Sequence, residues 1–221
     1  MNPHFEAILF DLDGTLVDSL PGIAWAAQTA LTDICPDAEL PDLRPFVGPP
    51  IREIFRRALK VEDSVKLDGL EASFRRHYNS EGWRHTVAYS DVHQTLTALL
   101  TKNVRLGVVT NKPQIPTRSI LEHLDLARFM EIVVTPDSVS PAYANKTQAL
   151  AAALLSQAII PGRALFVGDS CDDAAAAAGC SVRFAAVTYG YGDASLQTAH
   201  PIHLKLDSLG DLFSHTCRHL I

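Results

Sequence analysis

Five short apolar runs, at residues 7–10, 105–109, 131–134, 164–167 and 182–187, alternate with helical patterns at 91–101, 116–123, 146–157 and 171–178. Runs this short, closed by turn formers, suit strands buried on both faces. Parallel neighbours need a crossover, and a helix supplies it, so strand and helix in turn predict a parallel sheet covered on both sides. The expected fold class is α/β, a doubly wound Rossmann-like sheet. One segment breaks the alternation: from about residue 20 to 86 only helical stretches with charged faces occur, at 22–32, 51–60 and 67–79. They are expected to form a small helical domain, 17–86, inserted after the first strand of a core made of 1–16 and 87–221. The connections, 16–21 and 81–89, can bend, and a lid that closes over a site and excludes water fits that position.

The first apolar run ends in Asp11-Leu12-Asp13-Gly14-Thr15. Open α/β sheets bind ligands at the carboxyl ends of their strands, which is where Asp11 falls, with Asp13 two residues on. Two carboxylates so close repel each other unless a cation joins them. A few hard oxygen ligands suit Mg²⁺, which also takes a substrate phosphate. One carboxylate could attack phosphorus while the other handles a proton. Taken alone, the same residues also suit an ordinary turn.

Two other strand ends carry polar groups. The run at 105–109 leads into Thr110-Asn111-Lys112-Pro113, where a hydroxyl and an amide could hold phosphate oxygens, or simply start a helix. The run at 164–167 leads into Gly168-Asp169-Ser170-Cys171-Asp172-Asp173. Asp169 would stand beside Asp11 and Asp13 as a further metal ligand, Asp173 one helical turn on would support the metal from behind, and Asp172 is the weaker candidate. Acids also complement a helix N-terminus. Lys146 opens its helix, where the macrodipole does not favour a cation. It either faces a phosphate and the nucleophilic carboxylate or is a solvated surface lysine.

Composition excludes several classes. The formal net charge of −6 offers no basic stripe for nucleic acid. No apolar run is long enough to span a membrane. The first residues lack the charged and apolar regions of a signal peptide, so a cytoplasmic location is expected. The cysteines, Cys35, Cys171, Cys180 and Cys217, form no C-x-x-C pair and are expected to be free thiols. His215 and His219 have the spacing of a metal pair but no third ligand nearby, and His200 and His203 flank a loop and short strand. Trp25 and Trp83 are expected to pack within the helical insertion, and Tyr189-Gly190-Tyr191-Gly192 to form a loop near the site.

Taken in order, Asp11-x-Asp13-Gly14-Thr15, Thr110-Asn111, Lys146 and Gly168-Asp169-x-x-x-Asp173 resemble the motifs of the haloacid dehalogenase-like (HAD) superfamily, specifically its phosphatases. The insertion resembles the helical cap of phosphoglycolate phosphatases and β-phosphoglucomutases. Asp18-Ser19, Phe46-Val47-Gly48-Pro49-Pro50 and Pro116-Thr117-x-x-Ile120-Leu121 resemble the phosphoglycolate phosphatase-like branch. The resemblance implies a Mg²⁺-dependent hydrolase of a small phosphorylated metabolite. Asp11 would be the nucleophile, forming an aspartyl-phosphate, and Asp13 the acid and then the base. The Asp11 and Asp169 carboxylates with the Asp13 carbonyl would bind Mg²⁺, with Asp173 and Ser170 behind them. Thr110, Asn111 and Gly14 would bind the phosphoryl group and Lys146 neutralise it.

The sequence also departs from that pattern. The usual Lys-Pro-x-Pro is Lys146-Thr147-Gln148-Ala149, and the usual Tyr-Pro-Gly is Tyr89-Ser90-Asp91. Residues 20–23 contain no His, which disfavours a mutase, and 40–56 contain no Lys, which disfavours a phosphonatase. Arg52 either meets a substrate anion or belongs to a solvated face with Arg56 and Arg57. Lys112 is a second candidate for the substrate's anionic end, and Arg75 and Arg76 are expected at the surface. A nucleotidase, pyrophosphatase or sugar-phosphate phosphatase shares the same motifs, and a silent binding protein could share the fold. Monomer and homodimer are both compatible with the sequence.

Overall fold

Strand β1, Ala7–Phe10, is Ala-Ile-Leu-Phe and every residue of it is buried. A strand with apolar side chains on both faces must lie inside a sheet and between two layers. In the computed structural model, which describes residues 5–192, 196 and 201–216, it does. The other strands are β2 (Val17–Asp18), β3 (Val87–Ala88), β4 (Arg105–Val109), β5 (Ile132–Val134), β6 (Ala164–Gly168), β7 (Arg183–Val187) and β8 (Leu204–Leu206). Six of them form one sheet in the order β5-β4-β1-β6-β7-β8, and every neighbouring pair is parallel. The chain leaves β1 for one side of the sheet and later returns to the other, so the ends of β1, β4 and β6 open at a switch point.

The period of two along β1 sorts its side chains between the layers. Ile8 and Phe10 join the core built with α4 (Val92–Leu100), α5 (Gln114–His123) and α8 (Asp211–Thr216). Ala7 and Leu9 join the core built with α6 (Lys146–Ser156) and α7 (Cys171–Gly179). Between β2 and β3 lie α1 (Leu20–Ile34), α2 (Ile51–Leu59) and α3 (Ser64–Ser80), which bury Ala27, Leu31, Phe55, Leu70 and Phe74 against one another in a third core.

The expected elements reappear with shifted ends. α3 begins at Ser64 because the Asp63 side chain accepts from the amides of Val65 and Lys66. α5 begins at Gln114, so Pro116 is its third residue, not its first. The segments expected only to bend contain β2 and β3, which pair antiparallel, Val17 with Ala88 and Asp18 with Val87. Two-residue strands are too short for periodicity to reveal. Among the described residues no helix is long and apolar enough to cross a membrane. His200, Cys217 and His219, and the side chain of His215, lie outside the described residues.

Phe166 at the middle of β6 is fully buried. Phe166→Ala is expected to lower unfolding free energy by about 3–5 kcal/mol in urea denaturation, the range for emptying an aromatic core position.

Candidate active site

β1 delivers Asp11 to the sheet's carboxyl edge, where its amide bonds the Val167 carbonyl at 2.9 Å. The chain then turns tightly, with the Leu12 carbonyl accepting from Leu16 and Val17 at 3.0 and 3.1 Å. Gly14 makes that turn at φ +80°, and a Cβ there would fall 2.2 Å from Asp169 Oδ2. Glycine is thus required twice, for the backbone and for the carboxylate it touches. Its amide donates to the Val17 carbonyl at 2.8 Å, so it is engaged within the turn and not offered to a ligand.

β6 delivers Asp169, and α7 starts immediately after it. Ser170 caps α7 by accepting from the Asp173 amide, while Asp173 Oδ2 accepts from the Ser170 amide at 3.0 Å and hydroxyl at 2.6 Å. This capping box fixes Asp173 facing inward. Its other oxygen accepts from Lys146 Nζ at 2.7 Å. Lys146 also stands 2.9 Å from Asp11 Oδ1, as an ion pair. Asp11, Asp169 and Asp173 are all buried and offer oxygens within 4.8 Å of one another.

β4 delivers Thr110 and the residues after it. Thr110 Oγ1 accepts from the Lys112 amide at 3.1 Å, leaving its own proton available. Asn111 Nδ2 stands 3.5 Å from Asp172 Oδ2. Lys112, expected to meet a substrate, has its Nζ 3.0 Å from each oxygen of Asp13. Its Nζ also sits over the Tyr78 ring of α3, 4.7 Å from the centroid.

Four carboxylates, Asp11, Asp13, Asp169 and Asp173, therefore face two ammonium groups. Burial pushes the Asp11 carboxyl up from its ordinary value, against the pull of Lys146, and the neighbouring acids push it further. Burial raises Asp169 as well, with Asp173 adding to it and the Tyr191 amide opposing. For Lys112 and Lys146 burial alone would lower the ammonium pKa, but the facing carboxylates outweigh it and both are raised. The excess of negative charge is what one divalent cation would offset. The donor set fits such an ion. Asp11 Oδ1 is buried with the Lys146 ammonium as its neighbour, and Asp169 and Asp11 are hard oxygen donors. Asp173 has both oxygens engaged, which places it behind the ion.

A residue the sequence only hinted at ties this edge to the helical insertion. The Tyr191 amide donates to Asp169 Oδ2 at 2.6 Å and the Gly192 amide at 3.3 Å. The Tyr191 hydroxyl donates to Asp18 Oδ1 at 2.7 Å and accepts from the amides of Ser19 and Leu20 at 2.7 and 3.0 Å. The alternation Tyr189-Gly190-Tyr191-Gly192 carried the signal. A Cβ on Gly192 would lie 1.6 Å from the Asp169 carbonyl, so only glycine lets this loop approach so closely.

A cavity of about 330 Å³ rises from these groups between the sheet edge and α1–α3. Arg52 does not line it. The α2 face that turns to the cavity carries Ile51 and Ile54, and the Arg52 guanidinium is drawn to Asp68 and to Glu71, 3.6 Å away on α3. Both arginines expected at the surface are exposed, and Arg75 also borders the cavity.

The model of the haloacid dehalogenase-like hydrolase family matches residues 8–187. The chain is 35% identical over 194 residues to the phosphoglycolate phosphatase of Pseudomonas savastanoi pv. phaseolicola, covering 84% of this chain and 70% of that protein. It is 32% identical over 190 residues to the tyrosine-protein kinase PtkA of Mycobacterium tuberculosis, covering 86% of this chain and 64% of that protein. The crystal structure of a predicted phosphoglycolate phosphatase from Haemophilus somnus superimposes with a TM-score of 0.84 at 26% identity, covering 96% of this chain and 98% of that one.

Two measurements follow from the site's electrostatics and its loop. With Asp11 and Asp169 raised above the ordinary 3.8, the metal-free fold holds protons that the unfolded chain has lost, so its stability falls as pH rises from about 4 through neutrality. Added Mg²⁺ is expected to raise Tm more at pH 8 than at pH 6 and to release protons into weakly buffered solution. Equal shifts at both pH values would contradict the cluster's raised carboxyls. Tyr191→Phe leaves the Ser19 amide without its partner, while the Leu20 amide keeps Asp18 Oδ1 at 3.1 Å, and should cost about 1–3 kcal/mol in urea denaturation.

Proposed function

The chain belongs to the haloacid dehalogenase-like hydrolase family, in its phosphoglycolate phosphatase-like branch, and we propose that it is a Mg²⁺-dependent phosphomonoester hydrolase of a small metabolite. The observation that carries this reading is the pairing of charges at the sheet edge. Asp11 and Asp169 converge beside Lys146, while Asp13 is held a short step away by Lys112. In the proposed scheme Asp11 attacks phosphorus, forming one P–O bond as the ester P–O bond breaks. Asp13 gives its proton to the departing alcohol. A water then attacks the aspartyl-phosphate, Asp13 takes the water's proton, and phosphate leaves.

Asp11, Asp169 and the Asp13 carbonyl would hold Mg²⁺, with Asp173 and Ser170 fixing Asp169's surroundings. Bound there, the ion would neutralise charge on the transferring oxygens and orient them. Lys146, gripped by Asp173, keeps its ammonium beside Asp11, where negative charge accumulates during transfer. The Thr110 hydroxyl, with its proton uncommitted, and the Asn111 amide offer donors to the phosphoryl oxygens. Both Asp13 oxygens rest on Lys112, so the acid reaches the reacting oxygens when that pair loosens. We assign 17–86 to a cap that shields these steps from bulk water and 1–16 with 87–221 to the catalytic core.

Phosphate release from 2-phosphoglycolate, sugar phosphates, nucleotides and pyrophosphate tests the proposal. Release is expected with Mg²⁺, to stop with EDTA and with Asp11→Asn, and to fall about 10²- to 10⁴-fold with Asp13→Asn. Including alcohol and tyrosyl acceptors separates hydrolysis from transfer. Transfer without free phosphate would assign the chain to phosphotransfer, the activity named for the M. tuberculosis relative. Release that survives Asp11→Asn would overturn the covalent scheme.

A further inference from the structure

The cavity above Asp11 is divided by chemistry. Its floor carries the acids, Lys112, Lys146, Thr110 and Asn111. Its upper walls carry Ile23, Val47, Ile54, Phe74 and Tyr78 from the helical insertion, with Ile115 facing them from the core. Phe74 and Tyr78 stack with centroids 5.2 Å apart and planes within 13°. Lys112 Nζ sits over the Tyr78 ring and contributes a cation–π contact to that wall.

The cations that line the cavity are already matched. Lys146 lies between Asp11 and Asp173. Lys112 lies on Asp13. Arg75 is tied to Glu71 at 2.6 Å and is half exposed at the mouth. The further acid of the lining, Asp137, accepts from the Gln114 amide and the Thr135 hydroxyl and brings negative charge, not positive. A carboxylate or a polyol entering the upper cavity would shed water and find few partners beyond Asn79 and the Tyr78 hydroxyl, which costs free energy. An apolar body would shed water at a profit and meet aliphatic and aromatic walls.

Resting on the phosphatase reading above, we infer that the leaving alcohol has an uncharged apolar body, aromatic or branched aliphatic, seated against Val47, Ile54 and Phe74. The reaction is the hydrolysis already written: the ester and water give phosphate and this alcohol, with Asp13 moving the proton. The inference sets this chain apart from an enzyme for a carboxylate-bearing ester such as 2-phosphoglycolate.

The test compares kcat/KM for benzyl phosphate, cyclohexylmethyl phosphate, glycerol 1-phosphate and 2-phosphoglycolate. All four are alkyl esters, so the comparison reads the pocket and not the acidity of an aryl alcohol. The two apolar esters are expected to exceed the other two by roughly tenfold or more, the discrimination that burying such a body supplies. Val47→Asn, a partly exposed position, should lower that ratio by about fivefold or more through the polar group it adds to the wall. Arg75→Gln should leave the ratio unmoved. A higher kcat/KM for 2-phosphoglycolate, reduced by Arg75→Gln, would overturn the inference and leave the phosphatase reading standing. A preference for glycerol 1-phosphate would overturn it in the same way. No release from any of the four, nor from the wider panel above, would overturn the phosphatase reading and this inference together.

Discussion

Everything at the sheet edge depends on the crowding of negative charge in a place with little water. Asp11, Asp169 and Asp173 are 6%, 3% and 0% exposed, and their oxygens lie within 4.8 Å of one another. Like charges that close, without bulk water, cannot all ionise unless cations answer them. Lys146 answers two of them. The fold keeps the remaining charge in place by other means: the capping box holds Asp173, and the Tyr191 and Gly192 amides hold Asp169. Asp169 and Asp173 are oriented by backbone groups that belong to a loop and a helix start, and Asp11 by the Lys146 ammonium. Asp169 and Asp173 thus have their rigidity set by the fold's own hydrogen bonds, which is what positional catalysis requires.

That rigidity follows from the sheet. Parallel strands place all their carboxyl ends on one edge, and the register Phe10–Val108 and Phe10–Val167 sets β4 and β6 level with β1. The residues just beyond the strands, Asp11, Thr110 and Asp169, consequently meet. The pairing that seats β1 between two cores is thus also the device that aligns the polar groups. Any slip of one residue would turn Asp11 into the core.

Much of this was legible in the sequence because it is written in local terms. Apolar runs ending in Asp, Thr or Gly-Asp announce strand ends, and helical spacing announces the crossovers. The acids at 172 and 173 mark a helix N-terminus from position alone. Side chains whose orientation depends on partners distant in the chain were not legible. Arg52 stands one residue from the cavity-facing Ile51, yet acids at 68 and 71 on another helix turn it away. Lys112 follows the polar pair Thr110-Asn111, but Asp13, 99 residues earlier, claims it. Tyr191 sits 172 residues from the amide of Ser19 that it receives. No pattern within one window encodes such pairings.

Tyr191 and Lys112 also explain how the helical insertion and the sheet edge are mechanically joined. One phenol ring separates the groups that Tyr191 holds at each end: its amide on Asp169, its hydroxyl on Asp18, Ser19 and Leu20 where α1 begins. The Tyr191 residue thus links the α1 start to the loop that orients Asp169. Lys112 makes the second junction, its ammonium contacting both Asp13 and the Tyr78 ring of α3. Lifting α3 would remove the ring that covers Lys112 and admit water to the Lys112–Asp13 pair, weakening it by raising the local dielectric. The two junctions act on different acids, Asp169 through α1 and Asp13 through α3. The placement of the insertion thus bears on both the group proposed to hold the metal and the group proposed to move the proton, through contacts the fold already contains.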